Sequence, residues 1–190
     1  RWELDGMTAA QLRTVCEELG PDHVLYPSVS RQPLFRHWLG APTTVDELAL
    51  PSLSNRVVVL APQPLADSMA RRMADAIRDE WRRIASCATD RVEGDRALWE
   101  SECGLTWEFA WEVTPWHASG TQGLSEAYCQ CFQRNQRGLS EAVARQHSPR
   151  RDGRSCASCG RAAMPQGPPS CAACMTKRLL PLVDLPAPLD

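Results

Sequence analysis

The chain has 190 residues, 43% of them hydrophobic and 23% charged, with a formal net charge of −2. That is enough apolar material for one core, or one domain plus a small appendage. It excludes a membrane helix, because no apolar run approaches the about 20 residues such a span needs. It also excludes a secretory signal at the observed start, since RWELDGMTAA has no basic segment followed by an apolar stretch. The nine cysteines are an odd count, and the five outside the carboxy-terminal cluster (Cys16, Cys87, Cys103, Cys129, Cys131) follow no spacing rule. A reducing compartment is the simplest reading, so the expectation is a soluble, cytoplasmic protein. Opening on Arg1 rather than Met points to a piece or processed product of a longer chain.

In chain order, Leu12, Val15, Cys16 and Leu19 recur at helical intervals. They predict a short helix over Thr8 to Leu19, with Thr8 as its cap and Gly20-Pro21 as its stop. His23 to Tyr26 reads as a short strand that gives way to an ordered loop at Pro27 and Pro33, with a helical turn from Phe35 to Leu39. Ala41 to Ser54 is loop-like, with one helical turn over Val45 to Leu50. The β-branched run Asn55 to Ala61 is bounded by turn signals and predicts a central strand covered on both faces. A long helix follows over Leu65 to Ala88, whose apolar stripe of Leu65, Met69, Met73, Ile77, Trp81, Ile84 and Ala88 steps by three or four. Its arginines read as a solvated face, with Asp79 four residues ahead of Arg83 in the favourable order.

Another short helix is expected within Thr89 to Gly104. Thr106 to Pro115 then alternates cleanly and predicts a strand with one wet face, Trp107, Phe109, Trp111 and Val113 pointing one way and Thr106, Glu108, Ala110, Glu112 and Thr114 the other. Apolar positions from Leu124 to Val143 mark one helix kinked at Gly138, or two in series. Cys129 and Cys131 diverge by about 200° on a helix, so they read as partly buried thiols rather than as a metal pair. His23, His37, His117 and His147 are scattered and read as surface or loop residues. No phosphate-binding glycine loop, HExxH helix or GxSxG elbow occurs, so no catalytic residue is assigned.

The most specific stretch is Ser155 to Met175, SCASCGRAAMPQGPPSCAACM, in which two CxxC pairs are separated by eleven residues. Each pair sets two thiolates on a tight turn. Closing the spacer lets Cys156, Cys159, Cys171 and Cys174 surround one ion at about 2.3 Å, the pattern of a structural zinc knuckle. With four sulfurs no ligand position stays open for water, so the metal is not expected to do chemistry. The Gly- and Pro-rich spacer has too little core to fold without metal. Two disulfides or four free thiols are the blander alternatives. Residues 145 to 178 carry seven Arg or Lys and one Asp, +6 against −8 for the rest. Arg150, Arg151, Arg154, Arg161, Lys177 and Arg178 therefore form a basic patch, either a nucleic-acid contact, a solvated surface or a contact to an acidic neighbour.

The order of features is distinctive: HVLYPSVSRQPLFRHWL, LSNRVVVLAP leading into the helix that carries DEWRRIA, TWEFAWEVTPW, then CASCG. It resembles the amino-terminal half of the large, polymerase-like subunit of type III-B (Cmr-type) CRISPR effector complexes, over roughly Pro21 to Cys174. The most specific points are Leu25-Tyr26-Pro27-Ser28 with Gln32-Pro33-Leu34, Asn55-Arg56 and Pro115-Trp116. Where that family has Arg-Gly ahead of the glutamine, this chain has Ser30-Arg31.

The resemblance implies an α+β fold: a partial ferredoxin-like, palm-like domain with long helices and an appended four-cysteine zinc knuckle. The opening strand and most or all of the first helix are read as missing. The implied division is 1–118 for the partial domain, 119–147 for a helical connector, 148–180 for the knuckle and 181–190 for a Pro-rich tail. The resemblance also implies a scaffold portion of an RNA-guided antiviral complex, with other protein subunits as partners, guide and target RNA at least indirectly, and no membrane. That family makes cyclic oligoadenylates from ATP at a GGDD motif and, in some members, cuts single-stranded DNA at an HD motif; this sequence contains neither. ATP with Mg or Mn would be a cofactor only alongside the missing palm domain, with Ser28 and Gln32 bordering the nucleotide pocket. The alternative is a free-standing zinc-knuckle module that binds nucleic acid.

Overall fold

The computed structural model describes residues 2–38, 40–44, 47–48, 53–89, 96–104, 109–116, 120–146, 155–159 and 170–179. The chain divides into two compact units, Arg1–Glu93 with Met175–Asp190, and Gly94–Cys174. Among the described residues no helix is long and apolar enough to cross a membrane.

The first unit is built on two helices and a hairpin-like pair of strands. Helix α1 spans Trp2–Glu18, six residues more at its start than the periodicity predicts. Thr8 is therefore not a cap. It lies inside the helix, buried, and its hydroxyl donates to the Ser54 carbonyl at 2.9 Å, tying α1 to the loop before the second strand. A substantial helix thus stands ahead of the first strand, where the resemblance implies that most or all of it is missing. The Gly20-Pro21 stop does hold: Gly20 takes φ 95°, which a side chain would resist, as a 3-10 turn opens at Pro21–His23.

Strand β1 (Val24–Tyr26) pairs antiparallel with β2 (Val58–Val59), with a register irregularity between Val24 and Tyr26. His23 extends the ladder, since the Leu60 N–H donates to its carbonyl at 2.8 Å. Its ring Nδ1 sits 2.6 Å from the Leu60 carbonyl, which fixes Nδ1 as the donor and gives this histidine a structural role. β2 is shorter than the predicted Asn55 to Ala61 strand and is half-buried rather than covered on both faces. Among the described residues its sheet has two strands, so β2 is not central. Between the strands a 3-10 turn at Val29–Arg31 leads into helix α2, Pro33–Trp38. Thr44 and Glu47 then form a reciprocal capping box: the Thr44 N–H donates to Glu47 Oε2 at 2.8 Å, and the Glu47 N–H to Thr44 Oγ1 at 3.2 Å. The Thr44 N–H and hydroxyl hold the Glu47 carboxyl below its ordinary range.

Helix α3, Gln63–Thr89, packs along α1. Arg72 pairs with Glu18, and a Cβ built on Gly6 would lie 3.5 Å from Glu80 Oε1 and 3.8 Å from Ile84 Cδ1, so the two helices run antiparallel. The predicted stripe is core from Met69 on: Met69, Ile77, Trp81, Ile84 and Ala88 are buried, joined by Ala74 and Ala85. Leu65, in the first turn, is exposed and Met73 is half-buried. A second cluster of Ala9, Leu12, Val29, Phe35 and Leu53 fastens α1 to the loops around the sheet. On the outer face Arg83 turns to Glu80 through two bonds of 2.8 Å, rather than to Asp79, which pairs with Arg82.

In the second unit, helix α4 (Arg96–Gly104) buries Trp99 and Cys103, one turn apart. The predicted strand over Thr106 to Pro115 is not formed in its described part. Residues 109–116 carry no regular secondary structure, and their alternation is inverted, with Trp111 and Val113 exposed while Glu112 and Thr114 are half-buried. The cause is helix α5, Gly120–Gln146, which runs through Gly138 as one helix. Its Asn135 Nδ2 donates to the Ala110 carbonyl at 2.8 Å, Cys131 Sγ to the Glu112 carbonyl at 3.1 Å, and Arg134 pairs with the Glu112 carboxylate at 3.0 Å. Side chains of a helix, not a neighbouring strand, take up these carbonyls. Cys131 is half-buried, and burial raises its thiol pKa, whereas Cys129 is exposed, not partly buried. Helix α6, Ala172–Leu179, closes the described chain.

Candidate metal centre

The first CxxC pair lies on the turn that ends the described segment 155–159, and the second straddles the start of α6. Cys171 is the residue before the helix and Cys174 its third member. The Cys174 N–H, one of the donors that a helix start leaves without an intrahelical partner, reaches Cys171 Sγ at 3.5 Å. The sulfur thus does the work that a serine or aspartate oxygen does at an ordinary helix start.

The four sulfurs lie within 4.8 Å of one another, and Cys159 Sγ is 3.5 Å from Cys171 Sγ. Sulfurs at the corners of a tetrahedron about 2.3 Å from its centre stand about 3.8 Å apart, whereas a disulfide would bring a pair to about 2.05 Å. All nine cysteines are free of disulfides. Cys156 and Cys171 are each 3% exposed, Cys174 is half-buried, and Cys159 is exposed.

The local field suits thiolates in part. Burial pushes the Cys156 thiol up, but N–H groups of Cys171, Ser158 and Cys159 converge on its sulfur and bring the pKa down to about 6. Burial raises Cys171 and Cys174, and neighbouring cysteine sulfurs add to the rise for Cys174. Four sulfurs crowded together resist holding four negative charges unless a cation compensates them, which is the condition a divalent metal ion satisfies. The cluster can hold a metal ion, and its all-sulfur donor set suits zinc.

The structure brings together all four cysteines picked out by spacing. Ser28 and Gln32 belong to the first unit, where they bracket the turn Val29–Arg31. Ser28 is exposed, with Oγ 3.4 Å from Ser30 Oγ, and the side-chain oxygen of Gln32 is buried without a hydrogen-bond partner among the described residues. Lys177 and Arg178 are exposed on the last turn of α6. Arg150, Arg151, Arg154 and Arg161 lie outside the described residues. The N–H donors of Ser158 and Cys159 toward Cys156 were not legible by residue type, since backbone donors leave no mark beyond the tight CxxC turn itself.

Among the described residues these features define a helix-dominated mixed fold with a two-stranded sheet and a four-cysteine cluster able to hold a metal ion. Residues 2–86, just under half of the chain, match the family model described as CRISPR-associated protein Cmr2, N-terminal. Over that segment the chain is similar to the amino-terminal portion of the large subunit of type III-B CRISPR complexes. The cysteine centre lies beyond the matched segment. No curated protein matches the chain.

Proposed function

We propose that this chain is a scaffold portion of the large subunit of a type III CRISPR RNA-guided effector complex, in which a partial ferredoxin-like, palm-like domain and a zinc knuckle dock against other protein subunits. The observation that carries the reading is the family match from Trp2 to Ser86, which spans α1, β1, α2, β2 and nearly all of α3. The geometry of that segment supports it. The order α1–β1–β2–α3, with antiparallel strands and antiparallel helices, is what the inner part of a βαββαβ unit would show. Zinc held by Cys156, Cys159, Cys171 and Cys174 serves as a structural staple, because four thiolates leave no coordination position for water.

The reading is tested on the purified chain with ATP and Mg or Mn, and with RNA and single-stranded DNA at two salt concentrations. A scaffold gives no oligoadenylate and little binding. Robust oligoadenylate synthesis overturns it. Tight binding that weakens steeply with salt instead favours a free-standing nucleic-acid module acting through its basic patch.

Ser28 and Gln32 border a nucleotide pocket in this proposal, and the buried, unpartnered Gln32 oxygen supports a role for that residue. In the assembled complex Gln32→Ala is expected to weaken ATP binding about tenfold, the cost of one hydrogen bond in a desolvated site. An unchanged ATP affinity removes Gln32 from the pocket.

A further inference from the structure

The four sulfurs of the metal centre are not equivalent. Cys156 and Cys171 are 3% exposed, Cys174 is half-buried, and Cys159 alone is exposed. The buried pair is also shielded chemically. Cys156 receives N–H donors from Cys171, Ser158 and Cys159, and Cys171 receives that of Cys174. Such hydrogen bonds draw charge from a sulfur and damp its nucleophilicity. A metal ion keeps Cys159 as a thiolate while the fold leaves it open to solvent, the combination that makes a cysteine reactive toward oxidants and electrophiles. Its neighbour across the spacer, Cys171 Sγ, is 3.5 Å away and needs to move only about 1.5 Å closer to reach bonding distance.

We infer that Cys159 is a site of oxidative modification, where a hydroperoxide converts the zinc knuckle into a metal-free form closed by a Cys159–Cys171 disulfide. The inference rests on the zinc reading of the cluster. Cys159 Sγ attacks the peroxide, the O–O bond breaks, and hydroxide leaves as the sulfenic acid forms. Cys171 Sγ then attacks that sulfur, the S–S bond forms and a second hydroxide leaves. Two thiolates, one hydrogen peroxide and two protons thus give one disulfide and two waters: the thiolates lose two electrons and the peroxide gains them. The ion, left with Cys156 and Cys174, dissociates. The disulfide closes the same eleven-residue spacer that the metal closed, so the two turns stay joined, and a dithiol reductant with zinc restores the original form.

The experiment treats the intact chain with hydrogen peroxide while a metallochromic chelator records zinc release and peptide mapping locates the disulfide. Metal analysis before oxidation reports on the zinc reading alone: a chain without zinc overturns that reading and this inference with it. With zinc present, the expected result is one zinc released per disulfide, Cys159 joined to Cys171, and reversal by dithiothreitol plus zinc. Cys159→His keeps a competent ligand that peroxide does not convert to a disulfide, and zinc release is expected to slow at least about tenfold. A second readout needs no variant, because limiting iodoacetamide should alkylate Cys159 ahead of Cys156, Cys171 and Cys174. Release from the Cys159→His chain at the parental rate, a disulfide that omits Cys159, or first alkylation at another of the four overturns the inference while leaving the zinc reading standing.

Discussion

Cys171→Ser is expected to lower the zinc content from one equivalent per chain to below about a tenth, and to loosen the knuckle without unfolding the first unit. The substitution removes one of four sulfurs from a cluster whose ligand atoms lie within 4.8 Å of one another. A hydroxyl is a poor replacement for a thiolate in a soft, all-sulfur site. Structural zinc contributes about 10–16 kcal/mol to the folding of small knuckles, so even a fraction of that exceeds what the turns supply alone. Serine is a good residue ahead of a helix, and its Oγ can still accept the Cys174 N–H that now reaches sulfur. Loss of metal would therefore report on coordination rather than on a frayed α6. Elemental analysis gives the zinc content, and hydrogen exchange gives the extent of loosening: faster exchange at 155–159 and 170–174, with the amides of α1 and α3 unchanged. Cys129→Ser, at an exposed cysteine outside the cluster, should keep its full equivalent. A Cys171→Ser chain that still carries one zinc would show that Cys171 is not a ligand.

The parts of the molecule legible in the sequence are those fixed by chemistry local to the chain. Two CxxC pairs across eleven residues name four ligands, because cysteine at that spacing has few other uses, and the structure gathers all four. A stripe stepping by three and four from Met69 to Ala88 names a buried helix face, because burial follows the turn of the helix itself. What failed depends on partners distant in sequence. Alternation from Thr106 to Pro115 signals a strand, but residues 109–116 form no ladder, because alternation cannot say whether a strand or a helix will take up the carbonyls. Here Asn135 and Cys131 do so, and the side chains facing α5 are Glu112 and Thr114 rather than the aromatics. Thr8 failed for a similar reason: a threonine near an expected helix start reads as a cap, while its actual partner is the carbonyl of Ser54, 46 residues on. The Thr44–Glu47 capping box is the reverse case, a local T-x-x-E pattern at the start of the helical turn expected over Val45 to Leu50 in an otherwise loop-like stretch.

Trp81→Ala is expected to cost about 3–5 kcal/mol, the range for deleting a buried aromatic side chain from a packed core. Trp81 is 3% exposed on α3, one turn from Ile84, which lies against Gly6 of α1, and its neighbours Ile77, Ala85 and Ala88 are buried on the same face. The two-stranded sheet of the described residues is too small to organise a core by itself, so the α1–α3 contact carries most of the buried apolar residues described in the first unit. Against a total stability of about 5–15 kcal/mol for a domain, the loss is a large share, and the melting midpoint should fall by about 12 °C or more. Arg82→Ala, one residue along, removes an exposed side chain whose ion-pair partner is exposed Asp79, and should change stability by no more than about 0.5 kcal/mol. Denaturant titration monitored by circular dichroism separates the two. The zinc content of soluble Trp81→Ala protein should stay at one equivalent, because the ligands and the N–H groups on Cys156 all lie within 155–174. Together with Cys171→Ser, this makes a reciprocal test: one substitution strips the metal and spares the helices, the other weakens the helices and spares the metal. A Trp81→Ala chain as stable as the parent would mean that the face from Met69 to Ala88 is not the core of the family-matched segment, and one that loses its zinc would mean that the metal centre cannot form without it.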